Sequence, residues 1–197
     1  MKEHFDDEFV KRSQKEGYRS RAVYKLQEID DKDHLLKPGV TVIDLGAAPG
    51  GWSQYVARKY KDKVRIIASD ILPIEPLEHV EFLQGDFTEL EVMQQLMAML
   101  GDERPALVMS DMAPNMSGMD VVDIPRTLYM AELALHLAQQ VLQPGGNFLV
   151  KMFQGEGFDI YLKDLRTQFT RVVQRKPKAS RSRSREVYVV AMGYKGT

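Results

Sequence analysis

The chain contains no cysteine, and this absence excludes disulfide bonds and thiolate metal sites. Histidine is scarce, with four residues, and no two of them stand at metal-ligand spacing, so we expect no metal site. No apolar run approaches the roughly 18 residues that a membrane span needs, and the opening residues MKEHFDDEFV are charged. We therefore expect a cytoplasmic protein that does not enter a membrane.

The length of 197 residues fits one compact domain, because a single hydrophobic core usually serves about 100 to 200 residues. Hydrophobic residues make up 44% of the chain and charged residues 28%, which is typical of globular proteins. We expect a single domain over residues 1–197, in which residues 1–38 form a helical extension and residues 39–197 form the core.

The net charge of -1 hides an uneven distribution of charge along the chain. Residues 11–25 contain six basic residues and one acidic residue, and residues 171–185 contain seven basic residues and no acidic one. Either run alone is more often a solvated face than a binding site. If the two runs meet in space on an otherwise acidic body, they form the kind of anion-binding surface that nucleic-acid phosphates require.

From Thr41 onward, short apolar runs alternate with longer helical patterns, which is typical of a parallel sheet covered by helices on both faces. Thr88 is the expected cap of one helix, and Pro125 stands at the expected first position of another. The short link between the last two strands favours an antiparallel hairpin at the end of the sheet. The predicted strands are 41–46, 64–70, 80–86, 106–111, 147–153, 171–177 and 186–194, and the predicted helices are 21–30, 52–60, 88–100, 125–142 and 158–169.

A glycine-rich turn follows the first predicted strand, in the sequence VIDLGAAPGGW. Asp44 lies near the end of that strand, and Gly46 and Gly50 lie around the bend, where a ligand can approach the backbone. The dinucleotide fingerprint G-x-G-x-x-G is broken, because position 48 is alanine and Pro49 stiffens the turn. The turn therefore fits a nucleoside without phosphates better than a dinucleotide.

Three further strands end on an aspartate, namely Asp70, Asp86 and Asp111. A single aspartate at a strand end is more often a helix cap or a turn former. Together with Asp44, however, these aspartates make four acids at strand ends that face one crevice. Carboxylates can bind ribose hydroxyls, an adenine amino group and an amino acid ammonium, so the pattern favours S-adenosylmethionine as the cofactor.

Six segments in the same order resemble the FtsJ-type ribosomal RNA methyltransferases, over nearly all of residues 3–194. They are GYRSRAVYKL (17–26), DLGAAPGGWSQYV (44–56), QGDF (84–87), SDMAPNMSG (110–118), VKMFQGEGF (150–158) and SRSREVYVVA (182–191). The resemblance implies a Rossmann-like methyltransferase sheet of seven strands, mostly parallel with an antiparallel last strand. It also implies cofactor contacts by Gly50, Trp52, Asp70, Asp86 and Asp111, and a catalytic tetrad of Lys25, Asp111, Lys151 and Glu186.

The family substrate implied by the resemblance is a uridine ribose in 23S rRNA, within an assembled large ribosomal subunit or a late precursor. The 2′-hydroxyl is a poor nucleophile, so methyl transfer gains from a positioned base and from in-line alignment. We assign Lys151 as the base, since burial and the nearby Lys25 would disfavour its ammonium form. Asp111 would orient Lys151 and contact the cofactor, while Lys25 and Glu186 would position the ribose and its phosphate.

Each of these residues also has an ordinary structural explanation. Lys151 interrupts an apolar strand and could reach solvent from an edge position. Lys25 could be a surface residue on a charged helix, Glu186 could form a simple salt bridge, and Trp52, the only tryptophan, could be core packing.

Other functions remain open at this stage. A NAD-dependent oxidoreductase would use the same type of sheet, and a ribosome-assembly factor without activity could retain the fold. Among methyltransferases, tRNA or cap RNA could be the substrate. We expect a monomer whose residues 1–38 help to bind RNA.

Overall fold

The computed structural model describes the backbone of residues 3–180 and 184–196, and the side chains of residues 8–180 and 184–196. Arg181 and Arg183 of the second basic run lie outside the described residues. The helices are α1 Glu3–Lys15, α2 Val23–Asp33, α3 Gly51–Tyr60, α4 Leu90–Leu100, α5 Asp120–Val141 and α6 Phe158–Gln168, with a 3₁₀ turn at Lys61–Lys63. The strands are β1 Val40–Leu45, β2 Val64–Asp70, β3 Val80–Gln84, β4 Leu107–Ser110, β5 Asn147–Phe153, β6 Phe169–Arg175 and β7 Glu186–Tyr194.

The seven strands form one sheet in the order β3-β2-β1-β4-β5-β7-β6. Strands β1 to β5 pair in parallel, whereas β7 runs antiparallel to both β5 and β6. The predicted mostly parallel sheet, with its terminal hairpin and antiparallel last strand, is thus confirmed. Because the carboxyl ends of β1 to β5 lie at one edge, the residues that follow these strands meet there.

Helices cover both faces of the sheet. On one face α4, α5 and α6 pack against side chains such as Phe148, Val150 and Met152 of β5. On the other face α2 and α3 pack against Leu149 and its neighbours on β1, β2, β4 and β7. Since strand residues alternate between faces, Lys151 shares the α2 and α3 face with Leu149. Among the helices of the described ranges, none has the length and apolar character needed to cross a bilayer.

Two predicted helix starts are wrong. Helix α4 begins at Leu90 with Glu89 as its N-cap, and the Thr88 hydroxyl instead donates to Asp86 Oδ1 at 2.7 Å. Helix α5 begins at Asp120, five residues before Pro125, which therefore lies inside the helix. The reason is a tie between the helix and the loop before it, since Asp123 of α5 accepts hydrogen bonds from the backbone N–H groups of Ser117 and Gly118. These bonds hold the loop against the first turns of α5, upstream of the proline.

Candidate active site

The glycine turn between β1 and α3 is shaped by contacts within the protein. Gly46 has φ +72°, and a Cβ atom at this position would lie 2.3 Å from the Met112 Cγ atom. Gly50 has φ +104°, and its Cβ would lie 3.0 Å from Arg19 Nη1 and 3.1 Å from Leu77 Cδ1. Both glycines are therefore required by backbone conformation and by close packing. Pro49, between them, is exposed.

Asp44 lies beneath this turn and is 1% exposed. Burial raises the pKa of its carboxyl to about 7; the Ser53 hydrogen bond opposes this shift, whereas the charges of Asp111 and Asp70 add to it. The Ser53 hydroxyl donates to Asp44 Oδ2 at 2.6 Å. In the described part of the chain, Asp44 Oδ1 and Ser69 Oγ are buried without a hydrogen-bond partner. Asp44 is thus a buried carboxyl that is about half protonated at neutral pH, and its predicted cofactor contact stays a prediction.

Asp70 and Asp86 use their carboxylates to hold backbone turns. Asp70 Oδ2 accepts the Ala48 N–H at 2.8 Å, and its Oδ1 accepts the Leu72 N–H at 2.8 Å. Asp86 Oδ1 accepts the Thr88 N–H at 2.9 Å. Because each carboxylate oxygen has two acceptor positions, these bonds leave capacity for a ligand. Their assignment to the cofactor stays a prediction.

Lys151 and Asp111 form the first of two ion pairs at the carboxyl edge. Lys151 Nζ lies 2.5 Å from the backbone oxygen of Asp111 and 3.1 Å from its Oδ1. The Lys151 side chain is 9% exposed, so it does not reach out into solvent as an edge residue would. Asp111 follows β4 and Lys151 lies on the neighbouring β5, so adjacent parallel strands bring the two residues together.

Lys25 and Glu186 form the second pair, which joins α2 to the start of β7. Lys25 Nζ donates to Glu186 Oε1 at 2.7 Å, and the Ser180 hydroxyl donates to the same oxygen at 2.9 Å. Burial acts to raise the pKa of Glu186, but the charge and hydrogen bond of Lys25 outweigh it and lower this pKa. Glu186 is therefore an anion at neutral pH. The Lys25 side chain is only 11% exposed, so it is not an ordinary surface lysine.

Tyr188 links the two ion pairs, and the sequence analysis missed it. Its hydroxyl donates to Asp111 Oδ1 at 2.6 Å, and Lys25 Nζ lies 5.5 Å from the centre of its ring. It is the register partner of Lys151 across β5 and β7. Alternation along β7 places Tyr188 on the same face as Glu186, and this was the signal available in the sequence.

Trp52 is buried at 3% exposure, in the core between α3 and the sheet. Its Nε1 donates to the Ala22 carbonyl at 2.9 Å, and its ring centre lies 5.8 Å from that of Tyr188. Core packing is therefore evident for Trp52, and its predicted cofactor contact stays a prediction.

The two basic runs come together at Glu186, which accepts hydrogen bonds from Lys25 of the first run and Ser180 of the second, and the second run also contacts acidic residues of α2. Arg175 of β6 makes two hydrogen bonds to the carboxylate of Asp33 in α2, at 2.6 and 2.8 Å. The Lys178 N–H donates to Glu28 Oε2 at 2.8 Å, and Lys176 Nζ donates to the carbonyls of Ser184 and Glu186. These contacts fasten α2 to the β6–β7 hairpin. Of these cations, Lys176 borders the Lys25–Glu186 pair, whereas Arg175 is paired with Asp33.

Comparison with known proteins gives consistent matches. The family model described as FtsJ-like methyltransferase matches residues 18–194. The chain is 64% identical over 196 residues to the ribosomal RNA large subunit methyltransferase E of Chromohalobacter salexigens, covering all of this chain and 93% of that protein.

Two solved structures share the fold. One, described as a ribosomal RNA methyltransferase from Plasmodium falciparum, has a TM-score of 0.83 at 30% identity and covers 91% of this chain and 100% of its own. The other, described as an rRNA methylase from Clostridium thermocellum, has a TM-score of 0.57 at 18% identity, with 86% and 97% covered. The second match speaks for the fold alone.

Proposed function

The chain belongs to the FtsJ-like methyltransferase family, and from this membership we propose that it methylates the ribose 2′-hydroxyl of a uridine in 23S rRNA. The proposed methyl donor is S-adenosylmethionine, and the proposed substrate is the assembled large ribosomal subunit. We further propose that the protein acts in the cytoplasm as a monomer. The relative from Chromohalobacter salexigens, which is named for large-subunit rRNA, supports the choice of substrate.

The residues at the carboxyl ends of β1 to β4 suit this cofactor. S-adenosylmethionine, when bound, supplies an electrophilic methyl group on a positively charged sulfur. Asp70 and Asp86 would hold its hydroxyl and amino groups through acceptor positions that backbone N–H groups leave open, and Asp111 through positions that Tyr188 and Lys151 leave open. Ile71 and Leu72, which are 63% and 59% exposed directly after Asp70, offer an apolar surface to a purine. Gly46, Pro49 and Gly50 would form the turn beneath it, with Asp44 and Trp52 as its buried support.

The geometry around Lys151 is the observation that carries the proposal. To act as a base, Lys151 must first lose a proton from the ammonium form that pairs with Asp111, and the neutral amine then has two N–H groups and one lone pair. The backbone oxygen and the carboxylate of Asp111 can accept both N–H groups, at 2.5 and 3.1 Å. The lone pair is then left for the proton of a ribose hydroxyl, as a general base requires. Tyr188 holds Asp111 from the other side and so fixes the direction of Lys151.

The Lys25–Glu186 pair would position the RNA. Glu186 can accept a hydrogen bond from a ribose hydroxyl, and Lys25 can bind the neighbouring phosphate. The surrounding cations of the β6–β7 hairpin, and those of the first basic run whose donors face solvent, would bind further phosphates. This arrangement supports the assignment of residues 1–38 as a helical part that binds RNA beside the core, residues 39–197.

The proposal is tested by transfer of labelled methyl from S-adenosylmethionine to large ribosomal subunits taken from cells that lack this protein. We expect one 2′-O-methylated uridine in 23S rRNA, located by nuclease digestion. Lys151→Ala should lower the rate by about 10² to 10⁴, the usual contribution of a general base. Lys163→Ala, which removes an exposed lysine from α6, should transfer methyl at the wild-type rate.

Other outcomes separate the alternatives. Transfer to tRNA or cap RNA, with none to subunits, would replace the proposed substrate. Cofactor binding without transfer to any RNA would support an assembly factor that lacks activity. Full activity of Lys151→Ala would contradict the assignment of the base.

A further inference from the structure

Arg19 lies in the first basic run, yet its guanidinium faces the glycine turn and the loop of residues 71–79. Its Nη1 donates to the Glu75 carbonyl at 2.6 Å and to the Pro49 carbonyl at 3.3 Å. Its Nη2 donates to the Pro76 carbonyl at 2.9 Å. A cation intended for RNA phosphates would be expected to present these donors to solvent. Arg19 instead uses them on carbonyls of two separate segments of its own chain.

These bonds close a ring around the glycine turn. Asp70 connects the turn to the loop of residues 71–79, through the N–H groups of Ala48 and Leu72. Arg19 connects the far half of the same loop, at Glu75 and Pro76, back to Pro49. The loop is therefore held to the turn at both of its halves, by an anion at one and by a cation at the other.

The backbone around Arg19 is also held in place. Its N–H donates to Gln54 Oε1 at 2.9 Å, and Gln54 Nε2 donates to the Gly17 carbonyl at 3.0 Å. Gln54 lies on α3, the helix that follows the glycine turn, and is 8% exposed. The guanidinium thus starts from a fixed backbone position, so little freedom is lost when it forms its three bonds.

We propose that Arg19 is a positioning residue for the S-adenosylmethionine site, which locks the loop of residues 71–79 against the glycine turn and keeps Ile71 and Leu72 beside Asp70. This inference rests on the proposed function. Without Arg19, binding of the cofactor would have to order the loop, which lowers affinity. Lysine cannot replace it, because one ammonium nitrogen cannot reproduce a planar fork with two nitrogens directed at separate carbonyls.

The test is calorimetric titration of S-adenosylmethionine into the wild-type protein, Arg19→Lys, Arg19→Ala and Lys15→Ala. Lys15 is exposed in the same basic run, so its removal controls for the loss of one positive charge. We expect both Arg19 variants to bind the cofactor about tenfold more weakly or worse, and Lys15→Ala to bind as wild type does. In turnover assays Arg19→Lys should raise KM for the cofactor and leave kcat and RNA affinity near wild type.

Hydrogen exchange distinguishes a local loosening of the loop from a general loss of folding. In the Arg19 variants, exchange should accelerate in residues 71–79 and stay slow in β5 and α5. Wild-type cofactor affinity in Arg19→Lys would overturn the inference, as would loss of RNA affinity alone in Arg19→Ala. If the wild-type protein bound no S-adenosylmethionine, the proposed function would fail instead, so the two failures are distinguishable.

Discussion

Carboxylates at the two halves of the sheet edge have different partners. In the proposed cofactor half, Asp70 at the end of β2 and Asp86 after β3 accept hydrogen bonds from backbone N–H groups. In the proposed catalytic half, Asp111 pairs with Lys151 and Glu186 pairs with Lys25. The first arrangement fixes the shape of turns, whereas the second fixes the position of charged side chains. We infer that the cofactor half determines affinity for the methyl donor and the catalytic half determines the rate.

After Lys151→Ala, the largest expected effect comes from breaking the proposed catalytic half at Lys25. In Lys25→Met, Glu186 keeps its place on β7 but loses the cation 2.7 Å away. Methyl transfer should fall by about 100-fold, because misplaced reacting groups cost about this much. Affinity for S-adenosylmethionine should stay within about twofold of wild type, if the two halves are separate. Single-turnover rates and calorimetry measure the two quantities.

Lys32→Met is the matched control for this prediction. Lys32 lies on the same helix and pairs with Glu28 at 2.7 Å, but its side chain is 54% exposed. Its removal should therefore leave the rate near wild type. The double variant Lys25→Met with Glu186→Gln should be little slower than Lys25→Met alone, since the residues act as a pair. If Lys25→Met also lost affinity for S-adenosylmethionine, this would contradict the separation of the cofactor half from the catalytic half.

A smaller effect, on affinity, should follow from Asp70→Asn in the cofactor half. The two N–H groups of Ala48 and Leu72 bond different oxygens of Asp70, and in asparagine one of these oxygens becomes an NH2 group, which cannot accept. Affinity for S-adenosylmethionine should fall about tenfold, while the rate at saturating cofactor stays near wild type. Asp159→Asn, at an exposed position on α6, should change neither quantity. A lower saturated rate with unchanged affinity would reverse the assignment of the halves.

The cofactor half was the easier half to predict from sequence, because its signals are local. Asp70 ends β2 and Asp86 comes two residues after β3, and parallel strands bring such residues to one edge. The strand pattern also predicted β2, β5 and β7 with their observed bounds. What the pattern missed was the close packing of Met112 against Gly46 and the upstream cap of α5. Both depend on tertiary contacts.

The catalytic half could not be assembled from local patterns. Lys25 and Glu186 lie 161 residues apart, and neither periodicity nor propensity joins them. The family resemblance placed them in one tetrad, and the structure places them in one ion pair. Tyr188 was not predicted as a site residue, because a tyrosine in an apolar strand ordinarily packs in the core.

The smallest expected effect concerns Asp44, whose carboxyl is influenced by one charge from each half, Asp70 and Asp111. Burial raises the pKa of this carboxyl to about 7, and the charges of Asp111 and Asp70 contribute to the rise. The folded protein therefore retains a proton that the unfolded chain releases near its ordinary value of 3.8. Stability associated with this proton is present below about pH 4 and is lost as the pH rises towards about pH 7.

Asp44→Asn has no proton to lose at this position. Its free energy of unfolding, relative to wild type, should rise by on the order of 1 kcal/mol between about pH 5.5 and about pH 7.5. Urea unfolding at several pH values measures this difference. Asp111→Asn, which removes one of the repelling charges, should lower the pKa of Asp44 and move the dependence to lower pH. Equal pH dependence in wild type and Asp44→Asn would show that Asp44 ionises at its ordinary pKa. The charges of Asp70 and Asp111 would then not raise this pKa.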